Sequence, residues 1–141
     1  MAKKKLSKIL VPLDGSKNSL RGLKLALSLA KQSELSVVGL NVVSISSIAK
    51  NSLALTQKIR KKSQDIIKQA EILSKKEKVP FNGATKVSNN IGKTIVASAD
   101  NRKVDMIIIG SSGPDPDVEL FLGSVANHVV NKSKIPVTVV K

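Results

Sequence analysis

Along the chain, short unbroken apolar runs alternate with stretches whose apolar residues recur every three or four positions. Ile9-Leu10-Val11-Pro12-Leu13 is the first such run, closed by Asp14-Gly15-Ser16. A run apolar at every position predicts a strand buried on both faces, followed here by a turn and a helix start. From Lys17 to Gln32, Leu20, Leu23, Leu27 and Ala30 return at helical spacing between Arg21, Lys24 and Lys31, which predicts an amphipathic helix. Residues 35–43 are rich in β-branched side chains and follow the break at Ser33-Glu34, so they predict a second strand. From Asn51 to Lys78 the pattern is helical again. Ile59, Ile66 and Leu73 repeat every seven residues, with Ser63 and Ala70 on the same stripe. Coiled coils share that spacing, but small residues in the stripe and strands on either side predict a long helix lying on a sheet.

The second half continues the alternation. Pro80 to Val87 reads as a weaker strand, with Gly83 inside it, and Ile91, Ile95, Val96 and Ala99 mark a short helix ending near Asn101. Asp105 to Gly110 is a buried strand, Gly123 to Asn131 a helix through Val125, Ala126, Val129 and Val130, and Pro136 to Val140 the last strand. Residues Ser44 to Lys50 are Ser-rich and give no clear pattern. Strands and helices in strict alternation predict an α/β domain with a parallel sheet covered on both faces.

The 141 residues, with no repeat or linker, make one domain of residues 1–141. No apolar run approaches the ~18 residues of a membrane span. The start, Met1-Ala2-Lys3-Lys4-Lys5, is followed by too short an apolar run for a signal peptide, so the expected location is cytoplasmic. Absence of Cys excludes disulfides and thiolate chemistry. The net charge of +14 invites a nucleic-acid reading. Against it stand an aromatic content of 1%, only Phe81 and Phe121, and basic residues spread along the chain. A solvated lysine-rich surface that attracts phosphate ligands without specificity is the simpler reading.

Open parallel sheets bind ligands beyond the carboxyl ends of their strands. Two clusters fall there. One is Pro12-Leu13-Asp14-Gly15-Ser16; the other is Gly110-Ser111-Ser112-Gly113, nine further residues, then Gly123-Ser124. Glycines let backbone approach an anion, and Gly123-Ser124 would place free N–H groups and a hydroxyl at a helix N-terminus. The spacing Gly110-x2-Gly113-x9-Gly123-Ser124 resembles the signature of the ATP-binding branch of the universal stress protein family. Lys8 to Ser16 resembles that family's first strand and turn, and Pro136 to Val140 its last strand, so the resemblance runs essentially end to end.

The resemblance implies a Rossmann-like three-layer sandwich with a five-stranded parallel sheet of order 3-2-1-4-5. It implies ATP or AMP as ligand, with Mg²⁺ as a companion of the phosphates. Asp14 would meet the ribose or adenine edge, with Val11 and Pro12 beneath it, and Val42 would wall the base. Gly110 and Gly113 would line the ribose and phosphate side, and Gly123, Ser124 and Val125 would cradle the phosphates. Val11 and Val42 would be core residues in any such sheet, and Asp14 could simply cap the first helix. The segment between the second and third glycines departs from the pattern. It carries Asp115, Asp117 and Glu119, acids that repel a triphosphate unless Mg²⁺ intervenes.

Catalytic signals are weak. His128 sits beside Val129 and Val130 without a Ser or Asp partner at motif spacing and reads as structural. Asp14-Gly15-Ser16-Lys17 is not a Walker loop. The expected function is a small adenine-nucleotide-binding regulatory protein that works through an unidentified protein partner, with at most slow hydrolysis. The competing readings are a nucleotide-hydrolysing or adenylyl-transferring enzyme on the same fold, or a basic nucleic-acid binder. The apolar strand Val137–Val140 at a sheet edge, with the resemblance, implies a homodimer.

Overall fold

A computed structural model of the protein describes residues 5–44, 53–111 and 122–141. Five parallel strands, β1 (Lys8–Pro12), β2 (Ser36–Ser44), β3 (Phe81–Ser88), β4 (Met106–Gly110) and β5 (Val137–Val140), form one sheet of order β3-β2-β1-β4-β5. Four helices alternate with them: α1 (Lys17–Ser33), α2 (Leu53–Lys76), α3 (Ile91–Asn101) and α4 (Ser124–Lys132). The element order and the sheet order are those anticipated from the sequence. The Ser-rich stretch up to Lys50 lies largely outside the described residues, as do Gly113 and Asp115 to Glu119.

Side chains two apart on a strand share a face, and the two cores follow that rule. Ile9, Val11, Leu13, Val37 and Ile108 pack under α1 and α2, with Leu23, Ala26, Leu27, Ala30 and Ala70. Leu10, Val38, Leu40, Ile107 and Ile109 pack under α3 and α4, with Ile95, Ala99, Ala126 and Val129. The long helix α2 does lie on the sheet. Its buried stripe is made of small residues, Ser63, Ala70 and Ser74, flanked by partly buried Ile66, Ile67 and Leu73. Small side chains bring the helix close to the strands, and the buried Ser74 hydroxyl is satisfied by donating to the Ala70 carbonyl at 2.7 Å.

Burial on both faces fails at β3. This edge strand has no buried residue, because α2 covers it only in part and β2 flanks it on one side alone.

Turn chemistry fixes the ends. Gly15 adopts φ +85, a conformation that strains any side chain, and lets the chain reverse between β1 and α1. Glu34, Lys78 and Lys103 take left-handed conformations just after α1, α2 and α3. At the amino end of the sheet, Asp105 is buried. Its Oδ2 accepts from the amides of Ser7 and Lys8 at 2.7 and 3.0 Å and from the Ser7 hydroxyl at 3.1 Å. That carboxylate pins the segment entering β1 against β4.

Candidate functional site

A cleft of about 320 Å³ opens at the carboxyl ends of β1 and β4, where the strand order reverses. Pro12, Leu13, Asp14, Ser16 and Ser19 contribute from β1 and the start of α1, and Leu40 and Val42 from β2. Ile91 and Ile95 of α3 form the opposing wall, and Ile109, Gly110 and Ser111 the floor by β4. Gly123, Ser124, Val125 and Ala126 close the far end. The cleft therefore grades from an apolar slot between β2 and α3 to a polar end at the first turn of α4.

Local hydrogen bonds hold the β1 side. The Leu13 amide donates to the Leu40 carbonyl at 2.8 Å, continuing the sheet ladder one residue beyond β1. Asn41, 5% exposed, donates from Nδ2 to the Leu13 carbonyl at 2.7 Å. Asp14 is exposed, and its Oδ1 accepts from the Ser16 amide at 2.8 Å. Ser16, not Asp14, caps α1: its Oγ accepts from the Ser19 amide at 3.1 Å. The reason is register. Asp14 stands two residues too early to reach the first-turn amides, so its carboxylate braces the turn instead, at the edge of the cleft.

The α4 side differs from expectation in two respects. The Gly123 amide is not free; it donates to the Ser111 carbonyl at 2.8 Å. Gly123 also has φ −59, so its backbone conformation does not demand glycine. Among the described residues no side chain caps α4. The first-turn amides of Ser124, Val125 and Ala126 thus face the cleft end without a capping side chain, a setting that favours an anion.

Of the residues singled out in the sequence, the cleft gathers Pro12, Asp14, Val42, Gly110, Gly123, Ser124 and Val125. Val11 is fully buried under α1 and α2 and does not line it, since strand alternation turns Pro12 toward the cleft and Val11 away. Gly113 lies outside the described residues. Gly110 has a second reason to be glycine: a Cβ there would stand 2.8–2.9 Å from the backbone C and O of Asn18. His128 packs its ring where a Cβ on Gly92 would sit, at the α3–α4 contact, and is not a lining residue. Sequence reading missed Leu40, Ile91, Ile95 and Ser19. The pair Ile91 and Ile95, one helical turn apart, is visible in the sequence but marks only a short helix there.

The universal stress protein family model matches residues 5–141. The chain belongs to the universal stress protein family. Universal stress protein MJ0531 of Methanocaldococcus jannaschii is 30% identical over 140 residues, covering 95% of this chain and 81% of that protein. Among solved structures, hypothetical protein MJ0577 from the same organism superposes with a TM-score of 0.84 at 27% identity, covering 98% of this chain and 97% of that one. The universal stress protein from Archaeoglobus fulgidus, solved in complex with dAMP, superposes with a TM-score of 0.72 at 22% identity, covering 98% and 100%. Family membership and the Rossmann-like fold agree with the element order and with the cleft at the reversal of strand order.

Proposed function

We propose that this universal stress protein binds an adenine nucleotide in the cleft and acts as a regulatory protein through partners. One observation carries the reading: an apolar slot, a carboxylate and an uncapped helix N-terminus occur in that order along a single cleft. Leu40, Val42, Ile91 and Ile95 would hold the base, Asp14 the ribose hydroxyls, and the first turn of α4 a phosphate. A flat aromatic base suits an apolar slot, hydroxyls suit a carboxylate acceptor, and phosphate suits backbone amides with the helix dipole behind them. The dAMP complex of the Archaeoglobus fulgidus protein supports an adenine nucleotide on this fold.

Either AMP or ATP satisfies this reading. Asp14 is the one carboxylate among the described lining residues, and no group of three potential metal ligands gathers among them. Mg²⁺ would therefore enter with a phosphate chain rather than at a site of its own. Slow hydrolysis is the most that this reading asks of the cleft, and the cytoplasm is its setting.

The reading includes a homodimer. β5 pairs with β4 on one side, and Val137 to Val140 are half-buried in the single chain. Two such edges could meet antiparallel across a two-fold axis and pair their backbone groups. Sedimentation at tens of micromolar should give a dimer; a 15.0 kDa monomer would overturn this part.

The deciding experiment for the ligand is mass spectrometry of whatever the purified protein releases on denaturation, followed by calorimetry. Near-stoichiometric AMP, ADP or ATP, or rebinding below ~0.1 mM, about −5.5 kcal/mol, is the expected outcome. No binding of any adenine nucleotide at ~1 mM would sink the reading.

A further inference from the structure

The four returns from helix to strand all lie at the amino ends of the strands, on the pole opposite the cleft. We propose that this pole is a docking surface for a nucleic-acid duplex, gripped through its phosphates without reading sequence.

The first support is where the lysines stand. Basic residues in the last turn of a helix, such as Lys75 and Lys132, are explained by the helix dipole alone. Lys5, Lys8, Lys78, Lys103 and Lys134 lie outside the helices and are all exposed; Lys8 Nζ donates to the Arg102 carbonyl at 3.4 Å, and Lys78, Lys103 and Lys134 each stand two residues beyond a helix end. Lys78 and Lys103 go further. They adopt φ 58 and 54, left-handed positions after helices where glycine or asparagine is normally preferred. A lysine there is strained relative to glycine. Of the three left-handed residues on this face, Lys78 and Lys103 carry an exposed cation and Glu34 an exposed acid.

The second support is alignment. Hydrogen bonds set the returns level with one another: Val37 N to Pro80 O at 2.9 Å, Asp105 N to Lys8 O at 2.9 Å and Ile107 N to Pro136 O at 3.0 Å. Lys78 precedes β3, Lys5 and Lys8 stand at β1, Lys103 precedes β4 and Lys134 precedes β5. In the order of the sheet these stand at four of the five strands, with Glu34 before β2, along a row of four strand spacings, about 19 Å at ~4.8 Å each. One strand of a duplex presents a phosphate about every 3.4 Å, so five or six face such a row. Charge and spacing are thus complementary. In sequence these lysines are scattered from residue 5 to residue 134, and only the fold collects them.

The surroundings favour a duplex over other polyanions. Phe81 is packed where Cβ atoms on Gly39 and Gly83 would stand, so it offers no platform for unstacked bases. Between the cations stand Ser7, Asn101 and Ser133, whereas a membrane-surface site places apolar side chains among its lysines. Leu6 is the exception, 52% exposed. Two of the four acids nearby are engaged: Glu77 pairs with Lys31 at 3.4 Å, and Asp105 takes the Ser7 and Lys8 amides. Glu34 and Asp100 are exposed.

The test is fluorescence anisotropy with a labelled DNA duplex of mixed sequence, about 24 base pairs long, titrated with full-length protein between ~50 and ~200 mM salt. Five neutralised phosphates give a slope of log affinity on log salt near about −4.5. The decisive variant combines Lys78→Gly and Lys103→Gly, which relieves both left-handed residues. Its melting temperature should hold or rise, while duplex affinity falls at least about tenfold and the slope flattens by about 2. The charge-matched control, Lys58→Gln with Lys61→Gln, changes the first half of α2, about 20–25 Å from its last turn at 1.5 Å per residue. That control should change affinity by less than about threefold.

Equal losses in variant and control would overturn the proposal, because bulk charge would then suffice. Failure to bind duplex at ~50 mM salt would also overturn it, as would tighter binding to phosphatidylglycerol vesicles than to duplex through the same lysines. None of these outcomes touches the nucleotide reading of the cleft.

Discussion

The amide of Gly123 donates to the carbonyl oxygen of Ser111 at 2.8 Å, and the Ser111 amide in turn donates to the Val140 carbonyl at 2.8 Å. One residue beyond β4 therefore ties the start of α4 to the end of β5. The anion-facing turn of α4 is located relative to the sheet by main-chain bonds, whose strength does not depend on the Ser111 side chain. A cradle held this way is preorganised, so ordering it costs little when a phosphate arrives.

Gly123→Val should separate binding from folding. With φ −59 and ψ 158, the backbone accepts a side chain, and the unfolding free energy should change by less than about 1 kcal/mol. The branched side chain would crowd the approach to the Ser124 and Val125 amides. Loss of one charge-assisted hydrogen bond, about 1.5–3 kcal/mol, predicts ten- to a hundredfold weaker AMP binding by calorimetry.

Gly110→Ala should behave in the opposite way. Its Cβ would meet main-chain atoms of Asn18 at 2.8–2.9 Å, and main chain cannot rotate aside as a side chain can. α1 must shift from β4, at an expected cost of about 2–4 kcal/mol in urea unfolding. A loss below ~0.5 kcal/mol would mean that the close approach of α1 is not needed.

Asp105→Ala removes the acceptor for two amides and a hydroxyl at the amino end of the sheet. Bonds to a charged group contribute about 1.5–3 kcal/mol each, partly recovered by water at this half-buried edge. An overall loss of about 2–4 kcal/mol is expected, with nucleotide affinity of the folded protein unchanged, because the cleft lies at the other pole. Denaturant titration and calorimetry on the same preparation read both.

Gly92→Ala would drive a Cβ to 2.8 Å from His128 Cδ2 and 2.9 Å from Cγ. Alone it should cost about 1–3 kcal/mol, and in a His128→Ala background much less. The double-mutant cycle should give a coupling of at least ~1 kcal/mol; additive costs would mean that the two residues do not pack against each other.

The fold was legible because periodicity reports burial. Unbroken apolar runs at Ile9–Leu13 and Met106–Ile109 match the interior strands β1 and β4 within a residue or so at their ends. β3 was the weak signal because it is an edge, where exposure removes the pressure for apolar residues. The cleft was half legible. Gly110, Gly123 and Asp14 are punctuation that a sequence displays openly. Ile91 and Ile95 reach the cleft only because α3 packs across β2, and no local pattern distinguishes a cleft wall from a core. The collision that makes Gly110 obligatory lies between residues 18 and 110, beyond any local window. The sharing of the Gly123 amide with Ser111 was equally hidden, because it depends on how the chain re-enters the sheet.

The central place of β1 has a further consequence, for synthesis. Its carboxylate partner Asp105 follows Ser7 by 98 residues, and β4 follows with it. At 5–20 residues per second, β1 emerges about 5–20 s before the strand that completes it. During that interval β2 can cover one edge while the other stays open on the ribosome, apolar and untwinned. The nascent chain is therefore most exposed to mispairing and to chaperone capture after β2 and before residue 110. Ribosome-stalled chains released short of β4 should aggregate, and those extended beyond β5 should not.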